Sequence, residues 1–360
     1  MWMDVGNAYG SSGHAHASKN AINLRYNNTL LLVDSGRFQY NGAGLSEQLN
    51  RNYERTTTAH NTLTFDGCQQ AYEPATAKTA VANSSWSFTA ASDFASGMSS
   101  LYDGIEGTVT HQRGTLYTKT SAAGLPPYIV VVDRVTTDRS RTVQASWHAH
   151  PNSKVTCQLE GHVATVTGVH TDSGKLAPTM LSIVPSTEFA WTTATVVQGQ
   201  MGNKSLGLPW QGWYSSNYNG NSTAPTLVYD GSVPKAGAVF GWLLIPQADG
   251  SAGLPVASLK INSAGANGTV SATVFIGGKQ EDVNLAIGRA PAAPPPCAAN
   301  EERICGACKA LPKSLTCPAG EHLLTLFMFR GFNGKLIGKL YVMCRLEGGL
   351  LNGHRGRRFM

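Results

Sequence analysis

Short β-favouring segments that alternate with turn residues recur along most of this chain, and this pattern constrains its fold more than any other feature. Tyr128 to Val135 is a continuous apolar run, typical of a strand in the middle of a sheet, and Val239 to Ile245 is similar. Asn61 to Phe65 alternates polar and apolar residues, as a half-buried strand does. Only 14% of the residues are charged, and 39 glycines supply turns. The pattern predicts an all-β fold, an antiparallel sandwich or barrel rather than a helical bundle.

The stretch from Gly13 to Gly67 concentrates side chains that bind metal ions. His14 and His16 are two residues apart, so they share one face if the backbone is extended. Asp34 ends an apolar, β-favouring run before a Ser-Gly turn, and His60 precedes a strand-like segment. Two histidines and one aspartate, as in His16, Asp34 and His60, suit Zn²⁺ or a similar divalent ion. Their separation in sequence does not itself fix their distance in space.

Several motifs between residues 10 and 151 resemble, in the same order, those of the heparinase II/III-like polysaccharide lyases, the superfamily that includes oligoalginate lyases. An ordered set of motifs is more specific than any one of them. Residues 152 to 288 match only in their general β character. The motifs are Gly13-His14-Ala15-His16, Leu31-Leu32-Val33-Asp34-Ser35-Gly36, Arg55-Thr56-Thr57-Thr58-Ala59-His60-Asn61-Thr62-Leu63-Thr64-Phe65-Asp66-Gly67, Tyr102-Asp103-Gly104, His111-Gln112-Arg113, Val130-Val131-Val132-Asp133-Arg134-Val135 and Trp147-His148-Ala149-His150-Pro151.

The resemblance implies an antiparallel β-sandwich of the polysaccharide lyase type, acting on an acidic polysaccharide or oligosaccharide by β-elimination. By resemblance, His14 is the catalytic histidine that faces the cleft. His16, Asp34 and His60 look like the ligands of a structural divalent metal, expected to be Zn²⁺. The ion would fix the strand ends that position His14 rather than activate water, because elimination needs no water nucleophile.

Elimination also needs a base near the C5 proton and a cation that neutralises the uronate carboxylate. Tyr53 is the candidate catalytic phenol, and Tyr40 is the second choice, as a substrate-binding residue. Arg55 is a candidate ligand of the carboxylate because its planar guanidinium matches that group. Each has a structural alternative, since tyrosines commonly lie in cores and arginines commonly face solvent. His148-Ala149-His150 repeats the His-x-His pattern and is assigned no catalytic role.

Two other functions compete with the lyase. A uronate C5-epimerase would share the abstraction of the C5 proton but return a proton instead of expelling the leaving group. A non-catalytic β module would bind carbohydrate or merely fold around the metal. Lyases of the resembled family carry a helical toroid before the β domain, and the first motif here lies at Gly13. We therefore expect the chain to be a fragment of a longer enzyme.

The net charge of +6 and the pI of 8.9 do not indicate a nucleic-acid partner, because the excess lies in one segment. Ten of the 28 basic and four of the 22 acidic residues follow residue 296, so the remaining 18 of each sign balance. No apolar run reaches the roughly 18 residues of a membrane span. Residues 1 to 20 lack the pattern of a signal peptide. The family resemblance nevertheless implies a secreted, periplasmic or extracellular location.

The resemblance and the composition together predict four segments. By resemblance, residues 1–245 are expected to form the heparinase II/III-like β-sandwich, and residues 246–288 to supply closing strands of the same or a small second β unit. Residues 289–296 are a stiff Pro/Ala linker. Residues 297–360 form a basic tail with five of the seven cysteines. Its single Cys-x-x-Cys suits a zinc knuckle or a disulfide unit, but a poorly ordered tail is the stronger expectation.

Overall fold

The computed structural model describes residues 1–4, 15–40, 52–71, 84–158, 160–168, 179–202, 210–248, 253 and 255–289, and the backbone of four strands beyond residue 300. The chain divides into two units. The larger contains Met1–Pro296 with Arg303–Cys308, and the smaller contains Cys297–Glu302 with Lys309–Met360. No helix in the described ranges has both the length and the apolar character needed to span a bilayer.

Almost all of the regular structure is β. In chain order, the first strands are β1 (Trp2–Met3), β2 (Ile22–Tyr26), β3 (Thr29–Leu32), β4 (Leu63–Phe65), β5 (Gln69–Gln70), β6 (Ser85–Phe88), β7 (Ser92–Ser99), β8 (Tyr102–Asp103), β9 (Val109–Thr118), β10 (Tyr128–Thr137), β11 (Arg141–His148), β12 (Lys154–Cys157) and β13 (Ala164–Gly168). They continue as β14 (Thr179–Pro185), β15 (Thr193–Val197), β16 (Trp213–Tyr214), β17 (Ser222–Thr223), β18 (Thr226–Val233), β19 (Ala238–Gln247), β20 (Ala257–Ala264), β21 (Thr269–Ile276) and β22 (Lys279–Ala286). A short 3-10 helix covers Thr57–Ala59.

Two antiparallel sheets form the sandwich of the larger unit. The eight-stranded sheet has the order β12-β13-β14-β19-β10-β9-β7-β6, and the four-stranded sheet has the order β15-β18-β11-β4. Their facing side chains form one hydrophobic core, in which Trp147 from β11 meets Trp242 from β19 at a centroid distance of 5.3 Å. The antiparallel β-sandwich expected from the sequence is therefore confirmed.

A second core lies on the opposite face of the eight-stranded sheet, against a three-stranded sheet of order β20-β21-β22. The central strand β10 serves both cores, because its side chains alternate between the two faces. Val131 points into the first core, and Val130 and Val132 point into the second. Both faces of β10 are buried, which explains why its sequence is continuously apolar.

A small sheet of order β1-β2-β3 brings the N-terminal segment to the end of the four-stranded sheet. Leu32 at the end of β3 forms a bridge to Ala149, and the N–H of Val33 donates to the carbonyl of His148 at 2.9 Å. Strand β4 pairs with β11, which ends at His148. The chain after β3, the chain before β4 and the end of β11 thus meet in one place.

The tail contains four strands whose backbone is described. β23 (Glu301–Ile304) and β24 (Ala307–Ala310) form one two-stranded sheet, and β25 (Glu321–Phe327) and β26 (Tyr341–Leu346) form another. The expected poor order of the tail stays a prediction for the intervening residues, which lie outside the described part. The domain boundaries at residues 245, 288 and 296 stay predictions as well.

Candidate metal centre

Three side chains from separate segments converge where these elements meet. The ligand atoms of His16, Asp34 and His60 all lie within 4.8 Å of one another. The rings of His16 and His60 are 5.3 Å apart between centroids, and Nδ1 of His60 lies 3.1 Å from Oδ2 of Asp34. Two imidazoles and one carboxylate at this spacing form a potential ligand set for a divalent ion.

His16 is held in position by the arginine of another segment. The Nε–H of Arg55 donates to the carbonyl of Ala15 at 3.0 Å, and the N–H of Ala17 donates to the carbonyl of Arg55 at 2.9 Å. These two bonds flank His16. Arg55 thus positions the segment that carries this imidazole, and the carboxylate binding expected from the sequence stays a prediction.

Asp34 is oriented by the turn that follows β3. Its Oδ1 accepts the N–H of Gly36 at 2.9 Å, which leaves Oδ2 directed at His60. Gly36 has φ +89°, a left-handed conformation that favours glycine. The residue that follows β16 fixes this turn, because the N–H of Ser215 donates to the carbonyl of Ser35 at 2.8 Å.

His60 follows the 3-10 helix and precedes Asn61, whose side chain joins three segments. The Nδ2 of Asn61 donates to the carbonyls of Ile22 at 2.7 Å and Val33 at 3.0 Å. Its Oδ1 accepts the backbone N–H of His148 at 2.5 Å and lies 3.0 Å from Nδ1 of the same histidine. Asn61 thereby fixes the backbone beside His60 to β2, to the end of β3 and to the end of β11.

The electrostatics keep His16 and Asp34 in their metal-binding protonation states. Burial, and then the neighbouring His60, lower the pKa of His16 to about 3, so its imidazole is neutral at pH 7. Burial acts to raise the pKa of Asp34, but His60, the N–H of Gly36 and His16 together lower it to about 2. A neutral imidazole and an ionised carboxylate are the forms that bind metals.

The hydrogen bonding of His60 also fits a metal. The residue is 1% exposed, and neither ring nitrogen has a hydrogen-bond partner within the described ranges. The 3.1 Å contact with Asp34 brings the two atoms together without the alignment of a hydrogen bond. A buried imidazole without partners is costly, and a coordinated cation would satisfy it. The residues present therefore fit a divalent ion.

The structure separates the two tyrosines predicted for the site. Tyr53 is buried, and its hydroxyl donates to Oε1 of Gln211 at 3.3 Å and accepts the N–H of Gly212 at 3.2 Å. Burial raises the pKa of its phenol well above the usual value. Tyr40 is 45% exposed, and the guanidinium of Arg37 lies 4.1 Å from its ring centroid. Of these two phenols, that of Tyr40 is the one exposed to solvent.

Three residues near the site were not predicted from the sequence. Arg37 places Nη1 3.5 Å from Nε2 of His16, and His148 approaches through Asn61. Burial and then His60 lower the pKa of His148 to about 3, although Asp34 opposes this. Glu54 is fully buried. Burial and then the charge of Asp34 raise the pKa of its carboxyl, and the charge of Arg37 opposes them. The Trp-His-Ala-His motif was the only sequence signal for His148.

The predicted catalytic His14 lies outside the described residues, so its role stays a prediction.

The protein-family model of the heparinase II/III-like C-terminal domain matches residues 1–243 of this sequence. The chain belongs to the heparinase II/III-like family. Its relation to the polysaccharide lyases expected from the motifs is therefore confirmed. No match was found among curated protein sequences.

Solved structures of the family share the fold. A heparan sulfate lyase, HepC, from Pedobacter heparinus superposes with a TM-score of 0.59 at 19% identity, over 77% of this chain and 38% of that chain. A structure of heparinase III gives a TM-score of 0.57 at 15% identity, over 78% of this chain and 37% of that one. Another heparinase III structure gives a TM-score of 0.56 at 16% identity, over 75% of this chain and 36% of that one. The chain thus spans less than two fifths of the length of these heparinase-type structures.

Proposed function

We propose that this heparinase II/III-like chain is the β domain of a polysaccharide lyase that cleaves a uronic-acid polysaccharide by β-elimination. The observation that carries the proposal is the convergence of His16, Asp34 and His60 beside the pair formed by Arg37 and the exposed Tyr40. The heparan sulfate lyase and heparinase III names of its structural neighbours support an acidic polysaccharide as the substrate. We also propose secretion or periplasmic export, because such polymers lie outside the cell.

The chemistry requires a base that removes the proton at C5 of the uronate. The electron pair then forms the C4–C5 double bond, and the glycosidic oxygen at C4 leaves with a proton from an acid. We assign the base to His14 or to a tyrosine that reaches the substrate. Tyr40 suits this site better than Tyr53, because the Tyr53 phenol is buried and both of its hydrogen bonds are used.

The second requirement is neutralisation of the uronate carboxylate, so that negative charge can develop beside it. Arg37 supports this role, because its guanidinium lies at the Tyr40 ring and 3.5 Å from His16. Its planar group can donate hydrogen bonds to both oxygens of a carboxylate. Arg55 remains a candidate, but its Nε already bonds to the carbonyl of Ala15. We therefore place Arg37 ahead of Arg55 in binding the substrate.

The metal has a structural role in this proposal. His16, Asp34 and His60 would hold Zn²⁺, which would supply a fixed positive charge that ties three chain segments together. His14 lies two residues before His16, so a metal ion that fixes His16 would also restrict the position of the His14 imidazole. In the absence of Zn²⁺, we expect the position of His14 to be less well defined.

The test is incubation of the purified chain, alone and within any longer product of its gene, with a panel of uronate polymers while the absorbance of the unsaturated product is followed. We expect an increase that His14→Ala abolishes without loss of Zn²⁺ or of thermal stability. His16→Ala should lose Zn²⁺, stability and turnover together. Equal loss of stability in both variants would contradict this division of roles. Exchange of the C5 proton without an unsaturated product would indicate the epimerase, and binding without either reaction would indicate the non-catalytic module.

A further inference from the structure

Glu54 is a buried carboxylate without a hydrogen-bond partner. It is 0% exposed, and neither oxygen of its side chain has a partner in the part of the chain that the structure describes. Hydrogen bonds of the two neighbouring residues hold Glu54 in place. The preceding Tyr53 bonds to Gln211 and Gly212, and the following Arg55 bonds to Ala15 and Ala17. The chain therefore maintains this acidic side chain in the interior, although a buried carboxylate normally requires a donor or a cation.

Glu54 belongs to the electrostatic environment of the metal centre. Burial first, and then the like charge of Asp34, raise the pKa of Glu54 to about 9, and Arg37 opposes them. The carboxylate is outside the group of ligand atoms that lie within 4.8 Å of one another. Asp34 and Arg37, whose charges act on Glu54, contact His60 and His16 respectively, so Glu54 lies beside that group. Its side chain has three rotatable bonds, which allow the carboxylate to change direction.

We propose that Glu54 supplies the second carboxylate of the metal centre and binds the divalent ion directly or through an ion-bound water. The inference rests on the metal site of the proposed function. It accounts for two otherwise unrelated features, because one cation would coordinate an unpartnered nitrogen of His60 and an unpartnered oxygen of Glu54. The charges also balance, since Asp34 and Glu54 together neutralise a divalent cation.

A purely structural glutamate would behave differently. If Glu54 only fills space as a protonated acid, the neutral and nearly isosteric glutamine should leave the affinity for Zn²⁺ unchanged. If Glu54 belongs to the centre, Glu54→Gln should weaken Zn²⁺ binding and leave the metal-free protein at least as stable. The second result separates lost coordination from general damage to the fold.

The experiment measures the Kd of the full chain for Zn²⁺ by competition with a chromophoric chelator, for the wild type, Glu54→Gln and Glu188→Gln. Glu188 is exposed, so it provides the same chemical change away from the centre. We expect Glu54→Gln to bind Zn²⁺ about 10- to 100-fold more weakly, as loss of a group supporting a metal site does, and Glu188→Gln to match the wild type.

Thermal unfolding in EDTA and with excess Zn²⁺ supplies the second measurement. For Glu54→Gln we expect the Tm in EDTA to equal or exceed that of the wild type, and the increase caused by Zn²⁺ to shrink. An unchanged Kd for Glu54→Gln overturns the inference. A wild type that binds no Zn²⁺ overturns the metal centre and the inference together. Neither result depends on lyase activity, so a failure of the proposed reaction is recognised separately.

Discussion

Oδ2 of Asp34 lies 3.1 Å from Nδ1 of His60, and the other oxygen of the same carboxylate accepts the N–H of Gly36 at 2.9 Å. One oxygen therefore fixes the carboxylate to its own turn, and the other faces an imidazole from a distant segment. A metal ion bound between them would connect the chain after β3 to the chain before β4. The stability of this chain should consequently depend on Zn²⁺.

We expect Zn²⁺ at about 100 times its Kd to raise the free energy of unfolding by about 2.7 kcal/mol, because only the folded chain assembles the ligands. Asp34→Asn and His60→Ala should each lose most of this increase. Thermal unfolding with and without EDTA measures it. His162→Asn is the control, because His162 is outside the ligand group and has φ +51°, which asparagine tolerates. A full response to Zn²⁺ in Asp34→Asn would argue against the centre.

A buried ion pair stabilises the segment that contains His60 and Asn61. Arg113 and Asp133 are register partners on β9 and β10, joined by contacts of 2.6 and 2.9 Å, and each is at most 1% exposed. Arg113 also donates to the carbonyl of Asn61 at 2.8 Å, directly beside His60. We expect Asp133→Asn to cost about 3–5 kcal/mol, because it leaves a guanidinium buried without its counter-ion.

Urea unfolding of Asp133→Asn measures this cost. Asp93→Asn is the matched control, since Asp93 pairs with Lys119 at 2.6 Å on the surface, with side chains 27% and 33% exposed. Its loss should cost no more than about 1 kcal/mol. Similar losses in the two variants would show that the buried pair does not have the role assigned to it.

The two tyrosines should separate stability from substrate binding. Tyr53→Phe leaves Oε1 of Gln211 and the N–H of Gly212 without the phenol, so we expect it to lower stability by about 1–3 kcal/mol. Tyr40→Phe removes an exposed hydroxyl and should change stability by less than about 0.5 kcal/mol. Only Tyr40→Phe should slow product formation at equal folded fraction. The reverse pattern would restore Tyr53 as the catalytic phenol.

Strands buried on both faces were the easiest to predict. Tyr128 to Val135 is apolar throughout because β10 lies between two cores, and the structure extends this strand only to Thr137. Ser92–Ser99 was not predicted, since its serines, aspartate and glycine carry little β propensity. Its pairing along its whole length with His111 to Thr118 of β9 makes it a strand. Tertiary pairing, which a single segment does not reveal, decided that element.

The candidate site likewise contains some residues that local sequence predicted and others that it did not. The motifs supplied His16, Asp34 and His60 because each lies beside a recognisable strand or turn, and the structure brings all three together. Neither His148 nor Glu54 could be placed from local pattern. His148 reaches the site through the bridge between Leu32 and Ala149, whose partners are more than a hundred residues apart. Glu54 is held by the long-range hydrogen bonds of its neighbours Tyr53 and Arg55.

The pH dependence of stability should report the buried histidines. Unfolded His148 takes up a proton near pH 6.5, whereas the folded residue does so only near pH 3. Between these values the unfolded state binds more protons, so the free energy of unfolding falls as the pH falls, by about 1.4 kcal/mol per unit for this residue. Above pH 6.5 His148 contributes no slope.

Urea unfolding in EDTA between pH 7.5 and 4.5 measures this slope. Asparagine retains a donor near the position of Nδ1, so His148→Asn preserves a contact with Asn61 while removing the titrating group. We expect the slope of the variant to be shallower by about one proton. His16 gives a slope of the same sign, and Glu54, with a raised pKa, gives the opposite sign above about pH 4.3. The difference between wild type and variant isolates His148, and identical slopes would contradict its neutral burial.

Gly36 gives a sharper test of how the turn after β3 controls the centre. A Cβ at this position would collide with the carbonyl oxygen of Ser215, and φ +89° is unfavourable for any other residue. Gly36→Ala should therefore displace the N–H that orients Asp34, and weaken Zn²⁺ binding together with stability. Gly104→Ala is the control, because Gly104 has φ +76° but its Cβ would meet nothing within 4 Å. Both variants carry the backbone strain of about 1–2 kcal/mol, and only Gly36→Ala adds the collision. If the two lose equal stability and both keep the wild-type Kd for Zn²⁺, the turn does not set the position of Asp34.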